Sequence, residues 1–424
     1  MNATDSKRRL LIIPVIVMAL VLALGLAACG SSSSSSNTSG STGEETTATT
    51  EGGEATTASA EGGETPFPNV EPEKVYAPGI PSLEDLRTKG SESEPPTSGP
   101  PAKKNVSAVF VSCGLESPGC RVLAEEGKSA AEALGWNYKI IDGKNSTQGW
   151  IAGVRAAIAE KPDVIITNGM ACPEVVEALK EAKEAGIPTL GLWGTPCNEP
   201  LYGEESAEPG FTIPMLYNKE FETTEKYYYA WGAIEAQYMV DATEGKGKMI
   251  LAPYAPAYGK SMLEAWETEL GKCAACEILD TVSWVNTEQA NGFTAKFETA
   301  LVQYPEANAA LFPFDSTAVN AGGAKAIVDA GRKDKMVANC GEGGAEAQDL
   351  IRNEAGVTGC AAGMDLKWLA WAGMDEANRA LQGQESVPEG VGFHVVDKSN
   401  LSPSGKGVES KVDYVKAYEK IWNG

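Results

Sequence analysis

From about residue 105 onward, short apolar runs rich in β-branched residues alternate with longer stretches in which apolar residues recur at helical spacing. The short runs are typical of strands, and the longer stretches are typical of amphipathic helices. In the first half, strands are predicted at 106–111, 138–141, 163–167 and 186–191, and helices are predicted to end near 134, 160 and 185. This alternation predicts a parallel sheet wrapped by helices.

The same alternation begins again after a loop at 202–210. A strand is predicted at 211–216 and a long helix at 219–242, and later strands are predicted at 248–251, 278–284, 309–314, 336–339 and 356–360. A segment of this length exceeds what one hydrophobic core usually serves, so we expect two α/β lobes with doubly wound parallel sheets. Because ligands bind at the carboxyl ends of strands in such sheets, two facing lobes would place a cleft there.

The start of the chain has the pattern of an export signal. Basic residues at 7–9 precede an uncharged apolar run at 10–26, which is followed by small residues and Cys29. Small residues ending at a cysteine resemble the lipobox of bacterial lipoproteins, which implies removal of a signal peptide at 1–28 and a lipid on Cys29. A membrane-spanning anchor is the alternative, but the run is short for that and contains Pro14. We therefore expect an extracytoplasmic protein that is anchored to the cell membrane by its lipid.

Residues 29–104 are rich in Ser, Gly, Glu and Pro and include a six-serine run at 31–36. Such a segment cannot bury enough apolar surface to offset the entropy of ordering, so we predict a disordered tether. The stretch at 75–86 contains some apolar residues, so we expect it to pack on the folded part. The formal net charge of the whole chain is −23, which argues against nucleic acid as a partner.

Eight cysteines remain after Cys29, an even number that is typical of disulfides in an exported chain. The sequence leaves their connectivity open, and pairing of nearest neighbours is the simplest hypothesis. Cys273 and Cys276 have half of a zinc spacing, but His394 is the single histidine, so a metal site is not expected. The candidates, in that order of pairing, are Cys113 with Cys120, Cys172 with Cys197, Cys273 with Cys276, and Cys340 with Cys360.

No motif for catalysis or a cofactor stands out. Gly259-Lys260-Ser261 resembles the end of a phosphate-binding loop, but that loop needs glycine where Tyr254 stands. The glycines at 341–344 lack dinucleotide-binding spacing. His394 without a second histidine gives little material for a catalytic triad. We therefore expect neither an enzyme nor a bound cofactor, although acidic residues are plentiful and leave a carboxylate-pair hydrolase open.

Five stretches in order carry a family resemblance: 136–142, 185–188, 309–318, 342–351 and 396–400. Together they resemble the ribose-type sugar-binding periplasmic proteins, which have the type 1 periplasmic binding fold and serve ABC importers. The resemblance covers the chain from about 105 to 401. No helix-turn-helix segment precedes it, which excludes the related repressors.

The resemblance implies three strands that cross between the lobes, near Gly210, Met364 and Val395. The N-terminal lobe is then expected at 105–210 and 365–394, and the C-terminal lobe at 211–364 and 395–424. It also implies a monomer that closes around a small molecule by hinge rotation and meets a membrane permease. A lipoprotein that reports ligand occupancy to a membrane receptor is the alternative that the sequence leaves open.

The ligand residues of the family carry over only in part. Trp193 stands where the family has an Asp-Arg pair, Lys260 where it has Arg, Phe314 where it has Asn, and Met364 where it has Gln. Glu342 replaces an aspartate. The expected binding set is Glu116, Ser117, Asn168, Trp193, Tyr254, Lys260, Phe314, Asp315, Glu342 and Met364. For Phe314, and for Trp284 as a further candidate, a place in the hydrophobic core is the alternative. Loss of the fork-shaped Arg and gain of aromatic rings favour a sugar-like ligand with a flat or apolar face and few charges over a free pentose.

Overall fold

The structure is a computed structural model, and it describes residues 80–199, 202, 208–221, 223–290 and 292–424. The predicted signal peptide, the lipid-bearing Cys29 and most of the predicted tether lie outside these residues. Among the helices that are described, none is long and apolar enough to cross a membrane.

Strands and helices alternate along nearly the whole described chain, as the periodicity predicts. The first lobe contains β1 (Ser107–Ser112), α2 (Pro118–Leu134), β2 (Asn137–Asp142), α3 (Thr147–Ala159), β3 (Val164–Asn168), α4 (Cys172–Glu184) and β4 (Thr189–Leu192), preceded by α1 (Leu83–Thr88). These strands form a parallel sheet in the order β2-β1-β3-β4. β1 and β3 are buried along most of their length, because α2, α3 and α4 cover both faces of the sheet.

The second lobe repeats this arrangement. Its elements are α5 (Thr224–Ala242), β5 (Lys248–Leu251), α6 (Ala257–Leu270), β6 (Glu277–Thr281), α7 (Gly292–Gln303), β7 (Ala309–Leu311), α8 (Asp315–Ala318), α9 (Gly323–Asp329), β8 (Val337–Ala338), α10 (Ala345–Arg352) and β9 (Gly359–Gly363). The parallel sheet has the order β6-β5-β7-β8. The expected pair of doubly wound parallel sheets is therefore confirmed.

The chain passes between the lobes three times. Ile213 pairs with Leu190 of β4 before the chain enters α5. The second passage leads from β9 into α11 (Leu366–Ala380), where Asp365 caps the helix by accepting from the backbone N–H groups of Lys367 and Trp368. The third leads into β10 (His394–Asp397), which pairs antiparallel with β9. The crossings lie where the sequence predicts them.

Two boundaries differ from the predicted ones. Residues 80–104, which we call the strap, belong to the folded body and not to the tether: Arg87 bonds to Asp241 and Asp397, and the backbone N–H of Ala102 donates to the carbonyl of Trp422. The sequence does not predict the position of the strap, because the strap has no periodic pattern of its own. Its backbone hydrogen-bonds to elements that are distant in sequence.

The C-terminal helix α12 (Tyr414–Asn423) was assigned to the second lobe, and this assignment is wrong. α12 packs on α11 and α2 of the first lobe. Trp422 stacks on Trp371 at 5.3 Å between ring centroids, and its indole N–H donates to Asp375. A short amphipathic helix packs its apolar face on an apolar surface that is otherwise exposed, and here that surface is on α11.

All four nearest-neighbour disulfides are present, which confirms the simplest pairing: Cys113–Cys120, Cys172–Cys197, Cys273–Cys276 and Cys340–Cys360. Cys113–Cys120 closes the loop after β1, and Cys172–Cys197 ties the start of α4 to the segment after β4. Two of the bridges therefore fix loops at the carboxyl ends of first-lobe strands.

Candidate functional site

A cavity lies between the two lobes at the carboxyl ends of both sheets. Its volume is about 50 Å³. Its wall is built from the segments that follow eight strands, β1 to β8, and from one face of α5. The lining residues are Cys113, Ser117, Gly119, Cys120, Asn145, Gly169, Trp193, Tyr228, Trp231, Tyr254, Tyr258, Trp284, Asn286, Gln289, Phe314, Ser316 and Glu342.

Trp193 directly follows β4 and has a left-handed backbone with φ of 52°. This conformation is costly for a bulky residue and persists only where neighbours hold it. Here the backbone N–H of Trp193 donates to the hydroxyl of Tyr217 over 2.8 Å, and its carbonyl accepts from the hydroxyl of Tyr228 over 2.8 Å. The first crossing segment and α5 therefore both position this ring.

Gly119 at the start of α2 allows a close approach on the opposite side. A Cβ atom there would lie 3.2 Å from Cζ3 of Trp193 and 3.4 Å from Oε1 of Glu342. The first loop therefore contacts both the indole and the carboxyl group, and this is the point at which the two lobes meet around the cavity.

The remaining rings form one continuous cluster. Tyr228 stacks on Tyr258 at 5.0 Å, Tyr254 lies 5.0 Å from Trp284, and Trp231 meets Phe314 edge-on at 5.6 Å. Tyr254 and Trp284 are also joined by a parallel backbone bridge beyond the ends of β5 and β6. These contacts fix the rings before any ligand arrives.

Asp315 and Glu342 form a buried acid pair. The backbone N–H of Asp315 donates to Oε2 of Glu342 over 2.5 Å, while the Asp315 carboxyl accepts from the N–H groups of Gly343 and Gly344. Burial raises the pKa of Asp315 to about 7, against the lowering effect of these two N–H donors. Burial and the neighbouring Asp315 charge raise the pKa of Glu342 well above its usual value. Near neutral pH the pair therefore holds at least one proton.

Gly341 explains how this pair is brought beside Phe314. It has φ of 88°, and a Cβ atom would lie 2.6 Å from Cα of Phe314. Only glycine allows both the left-handed turn and this approach of two backbones. The loops after β7 and β8 consequently touch, and Glu342 enters the cavity.

Polar contacts close the cavity on the side of the first loop. Nε2 of Gln289 donates to Oγ of Ser117 over 3.3 Å, and Asn145 lies in the same group. Nδ2 of Asn320 donates to the carbonyl of Glu116 over 2.9 Å. The contacts of Gln289 with Ser117 and Asn145, and of Asn320 with Glu116, join one lobe to the other, so the structure shows the closed arrangement of the lobes.

The structure brings together half of the predicted binding set. Ser117, Trp193, Tyr254, Phe314 and Glu342 line the cavity, and Trp284 does so as well. Asp315 lies directly behind Glu342. The other four, Glu116, Asn168, Lys260 and Met364, are not among the lining residues.

Two of these four are buried supports. Oδ1 of Asn168 accepts from the backbone N–H of Cys113 over 2.9 Å, which positions the first loop. Met364 is buried, and its sulfur accepts from the hydroxyl of Tyr227. Each therefore holds a neighbour of the cavity wall without reaching the cavity.

The side chains of Glu116 and Lys260 are exposed and do not line this cavity. Lys260 follows Tyr258 by two residues on α6, which turns its side chain about 200° away around the helix. Tyr258 takes the face toward the cavity. Glu116 contributes its backbone carbonyl to Asn320 and turns its carboxyl group to solvent.

The sequence reasoning missed Tyr228, Trp231, Tyr258, Asn145, Asn286 and Gln289. Tyr228 and Trp231 lie on α5, far from any strand end, but their spacing of three residues places them on one helical face. Because α5 is buried almost all round, that spacing does not distinguish them from core residues, so the sequence gives no signal that identifies them as part of the wall.

A two-lobed α/β fold with a cavity at facing sheet edges defines a binding protein that closes around a solute. The chain belongs to the periplasmic binding protein domain family, whose family model matches residues 109–385. A comparison with curated proteins finds no match.

Solved structures agree with this fold. An ABC transporter solute-binding protein from Agrobacterium vitis bound with alpha-D-tagatopyranose has a TM-score of 0.61 and 17% identity, over 72% of this chain and 100% of that chain. The 5-methylthioribose transporter solute-binding protein of Thermotoga lettingae has a TM-score of 0.59 and 16% identity, over 78% and 96%. A glucose-galactose binding protein from Geobacillus stearothermophilus has a TM-score of 0.58 and 17% identity, over 71% and 100%.

Proposed function

We propose that this protein is an extracytoplasmic solute-binding component of an ABC importer. It captures a small molecule in the cavity between its lobes, closes by hinge rotation and delivers the solute to a membrane permease. The observation that carries this proposal is the cavity itself, whose wall is shared by both lobes and whose rim is joined by Ser117 and Gln289. Closure therefore completes the binding site.

The solute class follows from the solved structures and from the wall. The proteins from Agrobacterium vitis and Thermotoga lettingae are bound to tagatopyranose and 5-methylthioribose, respectively. We propose a sugar-like solute for this chain as well, and the rings of Trp193, Tyr254 and Phe314 favour one with an apolar face.

We further propose that the protein acts by binding and catalyses no reaction. Hydrolysis of a glycosidic bond needs two carboxyl groups about 5 Å or more apart, on either side of the bond. The two acids at this cavity are joined instead, since the backbone of Asp315 donates to Glu342. The pair has no room for a bond between its members.

The anchor at Cys29 and a monomeric state complete the proposal. Metabolic labelling with a radioactive fatty acid tests the anchor: labelling of the wild-type protein and its loss in Cys29→Ser are expected. Labelling that persists in the variant would exclude this cysteine as the site of attachment. Sedimentation of the mature protein without lipid gives its oligomeric state.

Native mass spectrometry of the mature protein, purified without added ligand, tests solute capture. The expected result is a small molecule that co-purifies with the wild-type protein and is absent from Trp193→Ala. Trp371→Phe, which alters a buried indole outside the cavity, serves as the matched control and should retain the molecule. Saturable binding accompanied by turnover, or equal retention by Trp193→Ala, would contradict the proposal.

A further inference from the structure

The cavity wall combines aromatic rings with a carboxyl group and, among the residues that the structure describes, contains no basic side chain. Seven of the lining residues are aromatic, namely Trp193, Tyr228, Trp231, Tyr254, Tyr258, Trp284 and Phe314. Glu342 is the acidic member, and none of the described residues in the wall is Lys, Arg or His. The wall also contains polar uncharged side chains, namely Ser117, Asn145, Asn286, Gln289 and Ser316.

The polar atoms of the indole rings already have partners within the protein. Nε1 of Trp193 donates to Tyr227, Nε1 of Trp231 donates to Glu235, and Nε1 of Trp284 donates to the carbonyl of Ala252. The three indoles therefore offer a ligand their π surfaces and edges rather than hydrogen-bond donors.

The same holds for several polar side chains at the rim. Ser117, Asn145 and Gln289 bond to one another where the lobes meet. A ligand with many hydroxyl groups would have to break these contacts or leave its own groups unpaired, and either is costly in a buried site.

Glu342 is the one acidic side chain among the described residues of the wall. Its Oε2 is taken by the backbone N–H of Asp315, while its Oε1 borders Gly119 beside the edge of Trp193. An ionised acid pair leaves negative charge at Glu342 or directly behind it at Asp315. An anionic ligand would meet that charge with no compensating cation in the described wall, whereas a cation would neutralise it.

Aromatic rings also attract cations, through the negative potential of their faces. The attraction is strongest at Trp and reaches about 2 kcal/mol or more when the cation is desolvated. A positively charged nitrogen that carries carbon substituents satisfies both parts of the wall, since its charge meets Glu342 and the rings while its carbons contact apolar surface.

We infer that the solute of this protein carries a positively charged nitrogen, as an amine or an alkylated ammonium group, held among the aromatic rings beside Glu342. This inference rests on the proposed function, because it names the chemistry of the captured solute. It is compatible with a sugar-like body, provided that the body carries the cationic nitrogen.

Two pairs of probes isolate the charge. Choline and 3,3-dimethylbutan-1-ol have the same shape and differ in whether the central atom of the head group is positive nitrogen or neutral carbon. Glucosamine and glucose differ at one substituent, which is a positively charged amino group in the first and a neutral hydroxyl group in the second. Isothermal titration calorimetry at pH 7 measures all four probes on the wild-type protein.

The expected result is that the charged member of at least one pair binds about tenfold or more tightly than its neutral partner. Glu342→Gln should lower the affinity for the charged member about tenfold while changing the neutral member little. Glu269→Gln, the same substitution at a buried glutamate outside the cavity wall, should change neither. The probe ratio in the wild-type protein tests the inference even where a variant fails to fold.

The neutral members binding as tightly as the charged ones would overturn the inference, as would binding of none of the four. Saturable binding of glucose without binding of choline or glucosamine would overturn the inference but leave the proposed function intact. If no solute co-purifies and none of the probes binds, both the inference and the proposed function would be contradicted.

Discussion

The backbone N–H of Asp315 at the start of α8 lies 2.5 Å from Oε2 of Glu342, two residues into the loop that follows Cys340. The contact joins the loops after β7 and β8 and places two carboxyl groups behind an aromatic wall. Because both are buried, their protonation is coupled to what occupies the cavity.

The first prediction concerns pH and affinity. Binding of a cationic probe such as choline should strengthen between pH 6 and pH 8, because the pair loses a proton near the pKa of Asp315, which is about 7. The groups that face the pair from neighbouring elements are Glu346 on α10 and Glu235 on α5, and both oppose this ionisation. Calorimetry across the range measures the effect, and Glu342→Gln should flatten it. Affinity that is independent of pH would contradict this account.

The second prediction concerns pH and stability. Glu376 is buried on α11, and burial raises its pKa to about 7, with nearby Asp375 acting in the same direction. A group with a raised pKa in the folded state stabilises the fold below its unfolded pKa and loses that contribution as pH rises through the folded value. The free energy of unfolding should therefore fall from pH 5 to pH 8, by on the order of 3 kcal/mol from this residue.

Chemical denaturation at each pH measures that slope. Glu376→Gln should show a smaller decline than the wild-type protein. Glu419→Gln on the exposed side of α12 is the control and should reproduce the wild-type slope. A slope that is equal in all three would exclude Glu376 as its origin.

The third prediction concerns closure. Gln289 of the second lobe bonds to Ser117 and Asn145 of the first lobe. Gln289→Ala removes these contacts, so the open arrangement should become more populated without ligand. Small-angle scattering should show a larger radius of gyration. Gln303→Ala, at an exposed position on α7 of the same lobe, should leave the radius unchanged.

The fourth prediction concerns the first loop. Replacing Cys113 and Cys120 together by serine should lower the free energy of unfolding by roughly 2.5 kcal/mol, from the entropy of a short closed loop. It should also weaken solute binding, because Ser117 and Gly119 lie within that loop. Cys273→Ser with Cys276→Ser is the matched control: stability should fall, while binding by the remaining protein should persist.

The fifth prediction concerns the strap. Arg87 donates from Nε to Asp397 over 2.9 Å and from Nη2 to Asp241 over 2.8 Å, with its side chain largely covered. Arg87→Ala should destabilise the fold by about 2 kcal/mol, since two charge-assisted bonds are lost. Lys89→Ala, at a side chain that is 75% exposed, should cost less than about 0.5 kcal/mol. Equal effects in thermal denaturation would show that the strap is not held through Arg87.

The alternation of strands and helices was sufficient to predict both sheets, because each element carries its own periodicity, and the family resemblance supplied the three crossings. It failed for the strap and for α12, whose positions depend on partners elsewhere in the chain. Lys103, for example, is held by Asn378, which is remote in sequence.

The residues of the candidate site also fall into those that the sequence predicted and those that it did not. Trp193, Tyr254, Phe314 and Glu342 follow strand ends, so the family resemblance and the position of binding sites in parallel sheets together pointed to them. Tyr228 lies on a helix that is buried almost all round, where an aromatic residue does not stand out from the core. Lys260 was misplaced because the direction of a side chain depends on where the helix begins, which the sequence does not fix.

The bonds between Gln289 and Ser117, and between Asn320 and Glu116, have a kinetic consequence. Both span the lobes, so a solute enclosed here leaves only after they separate. The lifetime of the loaded protein is then governed by how often this rim opens. A permease that pulls the two lobes apart would hasten unloading without competing for a single contact inside the cavity.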